Sequence, residues 1–214
     1  IINSFGQIDI KKEKNLCKTQ HYDYLKIILK KIKKFDLFVQ IGSSDEYSSS
    51  TKPKSENDIC NPDSFYGYYK YKATKFLKKY ANIHNKNIIV LRPFLIYGPG
   101  QKLPRLIPYL INCIDKKNII KIGSINSKLN FLYISDFVSL IEVIIKSNFN
   151  GFNIYNIGNS KNNSINDIIE IILKLKKMKR NEIKIMERNT ISISIPNLEN
   201  FKKDFLWDAE VNLE

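Results

Sequence analysis

A serine, a tyrosine and a lysine between positions 38 and 70 have the types and spacing of a proton-transfer site. Ser43 ends a strand-like run, and Tyr66 precedes Lys70 by four residues at the start of a helix-like run. Free tyrosine, with a pKa of about 10, is a poor acid or base near neutral pH. A nearby ammonium group lowers that pKa, and a serine hydroxyl can hydrogen-bond the same substrate oxygen. The trio therefore suits proton transfer at a sugar or alcohol hydroxyl while a hydride moves elsewhere.

The Tyr-x-x-x-Lys spacing is a weak signal by itself, because this lysine-rich chain contains it four times. The pairs are Tyr22 with Lys26, Tyr66 with Lys70, Tyr68 with Lys72, and Tyr71 with Lys75. Among these tyrosines, only Tyr66 follows Pro62 and Ser64 closely and directly precedes a glycine. Positions i and i+4 share a helix face, so Tyr66 and Lys70 can point into one cleft. From the residues alone, a packing role for Tyr66 is equally compatible.

Strand-like and helix-like segments alternate along the chain. We predict strands at Ile1 to Phe5, Leu37 to Gly42, Asn87 to Leu91, Ile119 to Ile122 and Phe152 to Gly158. We predict helices at Tyr22 to Ile32, Phe65 to Ile83, Leu106 to Ile114, Ser135 to Ile145 and Ile165 to Met178. This alternation is typical of a parallel α/β sheet with crossover helices. Ligands of such sheets bind beyond the carboxyl ends of the strands, where Ser43 and Ser44 would lie.

Composition excludes some classes of function. The net charge of +14 suggests nucleic-acid binding, but lysine supplies most of it, whereas phosphate readers favour arginine. The lysines are scattered over predicted helix faces, as at Lys30, Lys31, Lys33 and Lys34. We therefore expect no nucleic-acid partner, and a basic nucleic-acid-binding module is the less favoured alternative.

The lack of a membrane-span or secretion signal in the sequence, together with the cysteine usage, predicts a cytoplasmic protein. No apolar run approaches the roughly 20 residues of a membrane span, and no segment resembles a secretion signal, so we expect no membrane partner. The 3 cysteines, Cys17, Cys60 and Cys113, are widely spaced and predict reduced thiols. Cys17 and His21 have metal-ligand spacing, but no second pair exists, so we predict no metal site.

Five segments in order carry a resemblance to a known family. They are QIGSSDEYS, PDSFYGYYK, LRPFLIYGPGQ, KLNFLYISDF and YNIGNS. This series resembles the extended short-chain dehydrogenase/reductase family, and more narrowly its NAD-dependent epimerase/dehydratase group, which acts on nucleotide sugars. The similarity extends from Ile1 to Leu213 and is far more specific than any one segment.

The resemblance implies roles for individual residues. Ser43 matches the catalytic serine or threonine, since Tyr47 follows it by four residues. Tyr66 matches the catalytic acid/base. Lys70 matches the lysine that holds the nicotinamide ribose and lowers the pKa of the tyrosine.

The resemblance also implies a cofactor, either NAD or NADP. Pro93 and Phe94 match the segment that borders the nicotinamide, and Ser4, Phe5 and Gly6 match a strand end close to the cofactor. The family's glycine-rich turn, which seats the pyrophosphate, is not in this sequence. We therefore expect that the chain is part of a longer protein, that it is inactive by itself, and that the choice between NAD and NADP cannot be read from it.

Several positions depart from the family pattern. Leu95 replaces an asparagine that contacts the substrate phosphate, and Leu129-Asn130-Phe131 replaces Arg-Asp-Phe. Lys128 could supply the missing positive charge to a diphosphate. Ser44 and Asp45 occupy the positions where dehydratases of this group have an acidic pair or a Ser-Glu, so they are candidate auxiliary residues. A surface role for Asp45 is favoured over a catalytic one.

Together these features predict an α/β fold with a doubly wound parallel sheet, Rossmann-like but without its first strands, and a small C-terminal substrate lobe. Residues 1–94, with 132–158 returning to the sheet, would form the dinucleotide-binding part, and 95–131 and 159–214 the lobe. The predicted function is that of an NAD(P)-dependent nucleotide-sugar epimerase, dehydratase or reductase. The helices at Tyr22 to Ile32 and Phe65 to Ile83 match a family dimer interface, so we expect a homodimer. A non-catalytic relative that keeps the fold is the main alternative.

Overall fold

The computed structural model describes residues 1–8, 13–32 and 34–213. Its strands are β1 (Ile2–Asn3), β2 (Phe38–Ile41), β3 (Ile88–Pro93), β4 (Leu95–Tyr97), β5 (Ile120–Ile122), β6 (Lys128–Leu129), β7 (Phe131–Tyr133), β8 (Phe152–Ile157), β9 (Asn163–Ser164), β10 (Ile185–Glu187) and β11 (Ile193–Ser194). Its helices are α1 (Lys14–Lys18), α2 (Tyr24–Lys31), α3 (Phe65–His84), α4 (Leu106–Asp115), α5 (Ile134–Lys146), α6 (Ile165–Lys176) and α7 (Glu199–Asp204). A π-helical turn, Thr19–Asp23, joins α1 to α2.

The main sheet has four parallel strands in the order β1-β2-β3-β8. Its central strand β3 is buried at every residue, as expected when helices cover both faces. Ile88 and Val90 pack on one side with Leu25 of α2 and Leu77 of α3. The alternate residues of the sheet pack on the other side with α5 and α7. The predicted α/β class with a doubly wound parallel sheet is confirmed.

Helix α3 is held close to the loop that follows β2. Ser64 caps its N-terminus, accepting a hydrogen bond from the Gly67 N–H at 3.0 Å. A Cβ at Gly67 would lie 1.9 Å from the carbonyl oxygen of Asp45, so only glycine allows this approach. The helix ends at Asn85, whose left-handed φ of 47° allows the chain to reverse into β3.

A second apolar cluster lies outside the main sheet. Helices α4 and α6 pack there with β5, and its buried members include Leu110, Ile120 and Ile169. Short strand pairs and triplets surround it, namely β5 with β10, β6 with β9 and β11, and β4 with β7. The division of the chain into a sheet-bearing part and a substrate lobe stays a prediction.

The predicted elements are present with shifted ends. The first strand stops at Asn3 rather than Phe5, and the first helical segment begins at Lys14 rather than Tyr22. Lys33, predicted to lie on a helix face, falls outside the described residues. Among the residues described, no helix is long and apolar enough to cross a membrane.

Candidate active site

A cavity of about 460 Å³ opens at the carboxyl ends of β1, β2 and β3. Ser43, Tyr66 and Lys70 all line it. Ser43 comes from the loop after β2, and the other two come from the first turns of α3. The structure thus brings the three predicted catalytic residues together at the edge of the sheet where ligands bind in parallel α/β folds.

The Ser43 side chain is oriented by its own loop. Its backbone is extended, with φ −164° and ψ 148°, and it caps the short 3₁₀ turn Ser44–Glu46. The Ser43 Oγ accepts a hydrogen bond from the Asp45 N–H at 3.1 Å, and the same side chain hydrogen-bonds Tyr66. The Ser43 N–H donates to Glu46 Oε1 at 3.2 Å. Main-chain and side-chain contacts therefore fix this hydroxyl before any substrate binds.

Burial separates Tyr66 and Lys70 from the other three tyrosine-lysine pairs. All four lysines approach the ring of their tyrosine, with Nζ to centroid distances from 4.4 to 5.7 Å. Tyr66 is 4% exposed and Lys70 is 5% exposed, whereas Tyr68 is 40% exposed. The four-residue spacing brings the lysine of every pair close to its tyrosine ring, but of the four pairs only Tyr66 and Lys70 line the cavity.

The pKa of Tyr66 is raised above its ordinary value, chiefly by burial. The hydrogen bond with Ser43 and the charge of Arg105 act in the opposite direction, while the carboxylates of Asp45 and Glu46 add to the rise. The sequence analysis expects Lys70 to lower this pKa, and that expectation stays a prediction. The Lys70 Nζ lies 5.7 Å from the centroid of the Tyr66 ring and donates to the carbonyl oxygen of Ile41 at 2.8 Å.

Lys70 itself is strongly perturbed. Burial lowers its pKa from 10.5 to about 8, and the nearby Glu46 carboxylate acts against this lowering. Perturbed lysines in clefts are frequent at functional sites. A lysine that is expensive to bury and faces the predicted acid/base fits a functional role better than a packing one.

The sequence analysis did not assign His21 to the site, yet its ring lies against Tyr66. The two rings meet edge to face, with centroids 4.9 Å apart. The His21 Nε2 contacts the carbonyl oxygen of Gln7 at 3.0 Å, and Nδ1 is buried with no hydrogen-bond partner among the described residues. Burial, reinforced by Lys70, lowers the pKa of His21 to about 4, so the ring is neutral at pH 7 and Nε2 carries the proton that Gln7 accepts.

Arg105 was also missed. It caps α4, lines the cavity, and its charge lowers the pKa of Tyr66. The chain has far fewer arginines than lysines. An arginine at a position where lysine would serve as a surface charge was therefore the signal that could have identified Arg105. Arginine forms bidentate contacts with phosphate and carboxylate groups, so Arg105 adds a group suited to binding an anion to the cavity lining.

The remaining predicted residues divide into two groups. Seven line the cavity: Ser4, Gly6, Ser44, Asp45, Pro93, Phe94 and Leu95. Phe5 is 50% exposed and packs on Tyr24. Lys128 is exposed on β6 and is not one of the cavity-lining residues.

The segment that departs from the family pattern has a structural role here. Leu129 is buried in the second cluster. The side chain of Asn130 binds the backbone of Asn159 twice, donating to its carbonyl oxygen at 2.7 Å and accepting from its N–H at 2.8 Å. Asn130 therefore fastens the turn after β8.

The parallel α/β sheet, with Ser43, Tyr66 and Lys70 buried at its carboxyl edge, defines a Rossmann-like α/β protein. The sequence model of the NAD dependent epimerase/dehydratase family matches residues 12–158, which is more than half of the chain. The chain belongs to this family.

Curated relatives match parts of the chain. It is 31% identical over 106 residues to a dTDP-D-glucose 4,6-dehydratase of Dictyostelium discoideum, covering 49% of this chain and 24% of that protein. It is 38% identical over 96 residues to a dTDP-4-dehydro-6-deoxyglucose reductase of Escherichia coli, covering 43% of this chain and 30% of that one. The matches thus span less than a third of these relatives.

Solved structures confirm the fold. A dTDP-glucose 4,6-dehydratase from Bacillus anthracis in complex with NAD superimposes with a TM-score of 0.84 at 22% identity, covering 100% of this chain and 68% of that one. A UDP-glucuronic acid 4-epimerase from Bacillus cereus, in complex with UDP-glucuronic acid and NAD, gives a TM-score of 0.81 at 22% identity, covering 92% and 64%. At these identities the likeness concerns the fold.

The residues of the cavity fit the nicotinamide half of a dinucleotide. The family is NAD-dependent by its description, and solved neighbours contain NAD. Ser4 and Gly6 follow β1, Pro93 ends β3, and the Lys70 ammonium is the donor among them that suits ribose hydroxyls. We propose these residues of the chain as the ones that would hold NAD or NADP.

Proposed function

We propose that this chain forms the catalytic part of an NAD(P)-dependent enzyme that acts on a nucleotide sugar as an epimerase, dehydratase or reductase. One observation carries the proposal. The buried Tyr66, hydrogen-bonded to Ser43 and facing the buried Lys70, lines a cavity at the carboxyl edge of a parallel sheet. Relatives that act on dTDP- and UDP-sugars support the class of substrate.

Each residue has a definite task in this proposal. Tyr66 passes a proton to or from the oxygen at the reacting sugar carbon, and Ser43 hydrogen-bonds the same oxygen and orients it. Lys70 holds the ribose side of the cofactor and keeps a positive charge near Tyr66. The bound NAD or NADP supplies or accepts the hydride. Gly6, Pro93 and Phe94 shape the wall beside it.

The substrate side of the cavity is formed by the loop after β2 and the start of α4. Ser44, Asp45 and Leu95 line it, and we place the sugar there. Arg105 stands where it can meet the negative charge of a diphosphate. Lys128, exposed on β6, is a second candidate for that charge and would have to act from outside the cavity.

We also propose that the complete protein is a homodimer. Apolar side chains are exposed on the outer faces of α2 and α3, including Ile27 at 48%, Phe65 at 43% and Tyr68 at 40%. Exposed apolar side chains on two neighbouring helices suit pairing with a second copy of the chain. Sedimentation of the complete protein at the mass of a monomer would contradict this.

The test of the activity uses the complete protein. It is incubated with NAD or NADP and a panel of UDP-, GDP- and dTDP-sugars, and the products are resolved by mass spectrometry and NMR. We expect one sugar to change, and the product identifies the reaction. If no sugar changes while the protein is folded and binds cofactor, the chain is a non-catalytic relative instead.

A further inference from the structure

The buried carboxylate of Glu46 connects three parts of the site. It is 0% exposed. Its Oε1 accepts from the Ser43 N–H at 3.2 Å, and its Oε2 accepts from Thr74 Oγ1 at 2.8 Å and from Arg92 Nε at 3.0 Å. The Arg92 Nη2 also lies 2.9 Å from Oε2. One side chain thus links the loop after β2, the helix that carries Tyr66, and β3.

The hydrogen bond from Thr74 joins Glu46 to α3 close to Lys70 and Tyr66. Thr74 lies one helical turn after Lys70, which itself lies one turn after Tyr66, so the three share a face. The other attachment point is equally rigid, because Arg92 is 2% exposed in the fully buried strand β3. A displacement of Glu46 would therefore move Ser43 relative to Tyr66.

Stability alone does not explain this ion pair. Burying two charges carries a desolvation cost that their attraction often only balances, and apolar residues of similar size frequently serve as well. The geometry around Glu46 is also restrictive, since a Cβ at Gly42 would lie 2.6 Å from Oε1. Gly42, which directly precedes Ser43, therefore leaves the space that the buried Glu46 carboxylate occupies.

We propose that Glu46 is a positioning residue, which holds Ser43 in line with the Tyr66 and Lys70 face of α3 and supplies the negative charge that Lys70 faces. The inference rests on the proposed function for its effect on turnover. Its effect on Lys70 can be measured without a substrate.

The charged and titratable groups around Lys70 come from three elements. Glu46 faces it from the 3₁₀ turn, His21 from the π-helical turn, and Tyr66 from its own helix. Glu46 raises the pKa of Lys70 against the larger effect of burial. Removing the carboxylate charge should therefore move the titration of Lys70 to lower pH.

The experiment compares Glu46→Gln with Asp136→Asn in the complete protein. Asp136 is a second buried carboxylate, 5% exposed, which accepts from the Val211 N–H at 3.0 Å and does not line the cavity. The Lys70 ε-methylene is followed by NMR in ¹³C-lysine-labelled protein and assigned with Lys70→Arg. We expect Glu46→Gln to lower the titration midpoint and Asp136→Asn to leave it unchanged, although both lower the unfolding temperature.

Turnover provides the second measurement. Misplacing a reacting group costs about tenfold to 100-fold, so Glu46→Gln should lower kcat by that factor with little change in KM, and its pH profile should shift with Lys70. The double variant Glu46→Met with Arg92→Met replaces the ion pair by apolar side chains, so it should regain unfolding temperature without regaining kcat.

Two results would overturn the proposal: an unmoved Lys70 titration in Glu46→Gln, or a kcat that recovers together with stability in the double variant. If the wild-type protein turns over no nucleotide sugar, the proposed function fails, while the NMR titration still decides the role of Glu46 toward Lys70.

Discussion

Replacing Lys70 by methionine should stabilise the fold at pH 7. Burial lowers the pKa of Lys70 from 10.5 to about 8, which means that its charged form costs the folded state about 3 kcal/mol at neutral pH. Methionine has a similar length and no charge. It gives up the hydrogen bond from Nζ to the Ile41 carbonyl oxygen at 2.8 Å, a loss of about 1 kcal/mol. The variant should therefore be about 2 kcal/mol more stable.

The greater stability of Lys70→Met should diminish as pH rises. Because the pKa of Lys70 is lower in the folded state than in the unfolded chain, the folded state releases this proton first as pH rises. Wild-type protein thus gains stability between about pH 8 and 10.5, and loses it as pH falls through about 8. The methionine variant lacks this gain, so its advantage should fall to less than half by about pH 9.5.

Urea unfolding of the complete protein at pH 7 and at higher pH measures both effects. Lys78→Met is the matched control, because Lys78 is exposed on the same helix and should show no such pH dependence. A Lys70→Met variant that is less stable than wild type at pH 7, or a gain that does not change with pH, would refute the reasoning. Loss of turnover in a more stable variant would show that stability was given up for function.

Three further outcomes can be measured. Tyr66→Phe should lower turnover by about 100- to 10,000-fold, whereas Tyr68→Phe, at an exposed position, should leave it unchanged; equal losses would show that the wrong pair was chosen. Gly6→Ala should lower the free energy of unfolding by about 1–3 kcal/mol through backbone strain, because φ is 119°. It should lower it further because the His21 ring occupies the space of the new side chain. Adding His21→Ala should remove only this steric cost, and thermal melts of the single and double variants measure the difference. Binding to random DNA, followed by fluorescence anisotropy, should vanish at physiological salt, and persistence there would favour the basic-module alternative.

Periodicity was sufficient for the main elements of the fold. The run Ile88 to Leu91 is apolar throughout, and its strand is indeed covered on both faces. The four-residue spacing of Tyr66 and Lys70 placed both on one face of α3, as observed. Short strands such as Lys128–Leu129 and Ile193–Ser194 could not be predicted, because two residues carry no period and their pairing depends on distant partners.

The start of the first helical segment was missed for a different reason. The π-helical turn Thr19–Asp23 interrupts the regular repeat between α1 and α2. A helical pattern read at 3.6 residues per turn loses phase there, so only the part after Tyr22 was recognised. The same turn places His21 against Tyr66, and a residue whose role depends on a local irregularity cannot be identified from spacing.

Sequence reasoning assigned no role to Glu46, although it is among the most buried charges in the described chain. The omission has a physical cause. A carboxylate next to serines and aspartate looks solvated until its partners are known, and those partners, Thr74 and Arg92, come from elements 28 and 46 residues away. Buried charges of this kind are identified only from tertiary structure. Lys70 lines the cavity, and Glu46 lies behind it and binds the Ser43 N–H. Replacing these two residues therefore offers a way to separate function from stability in this chain.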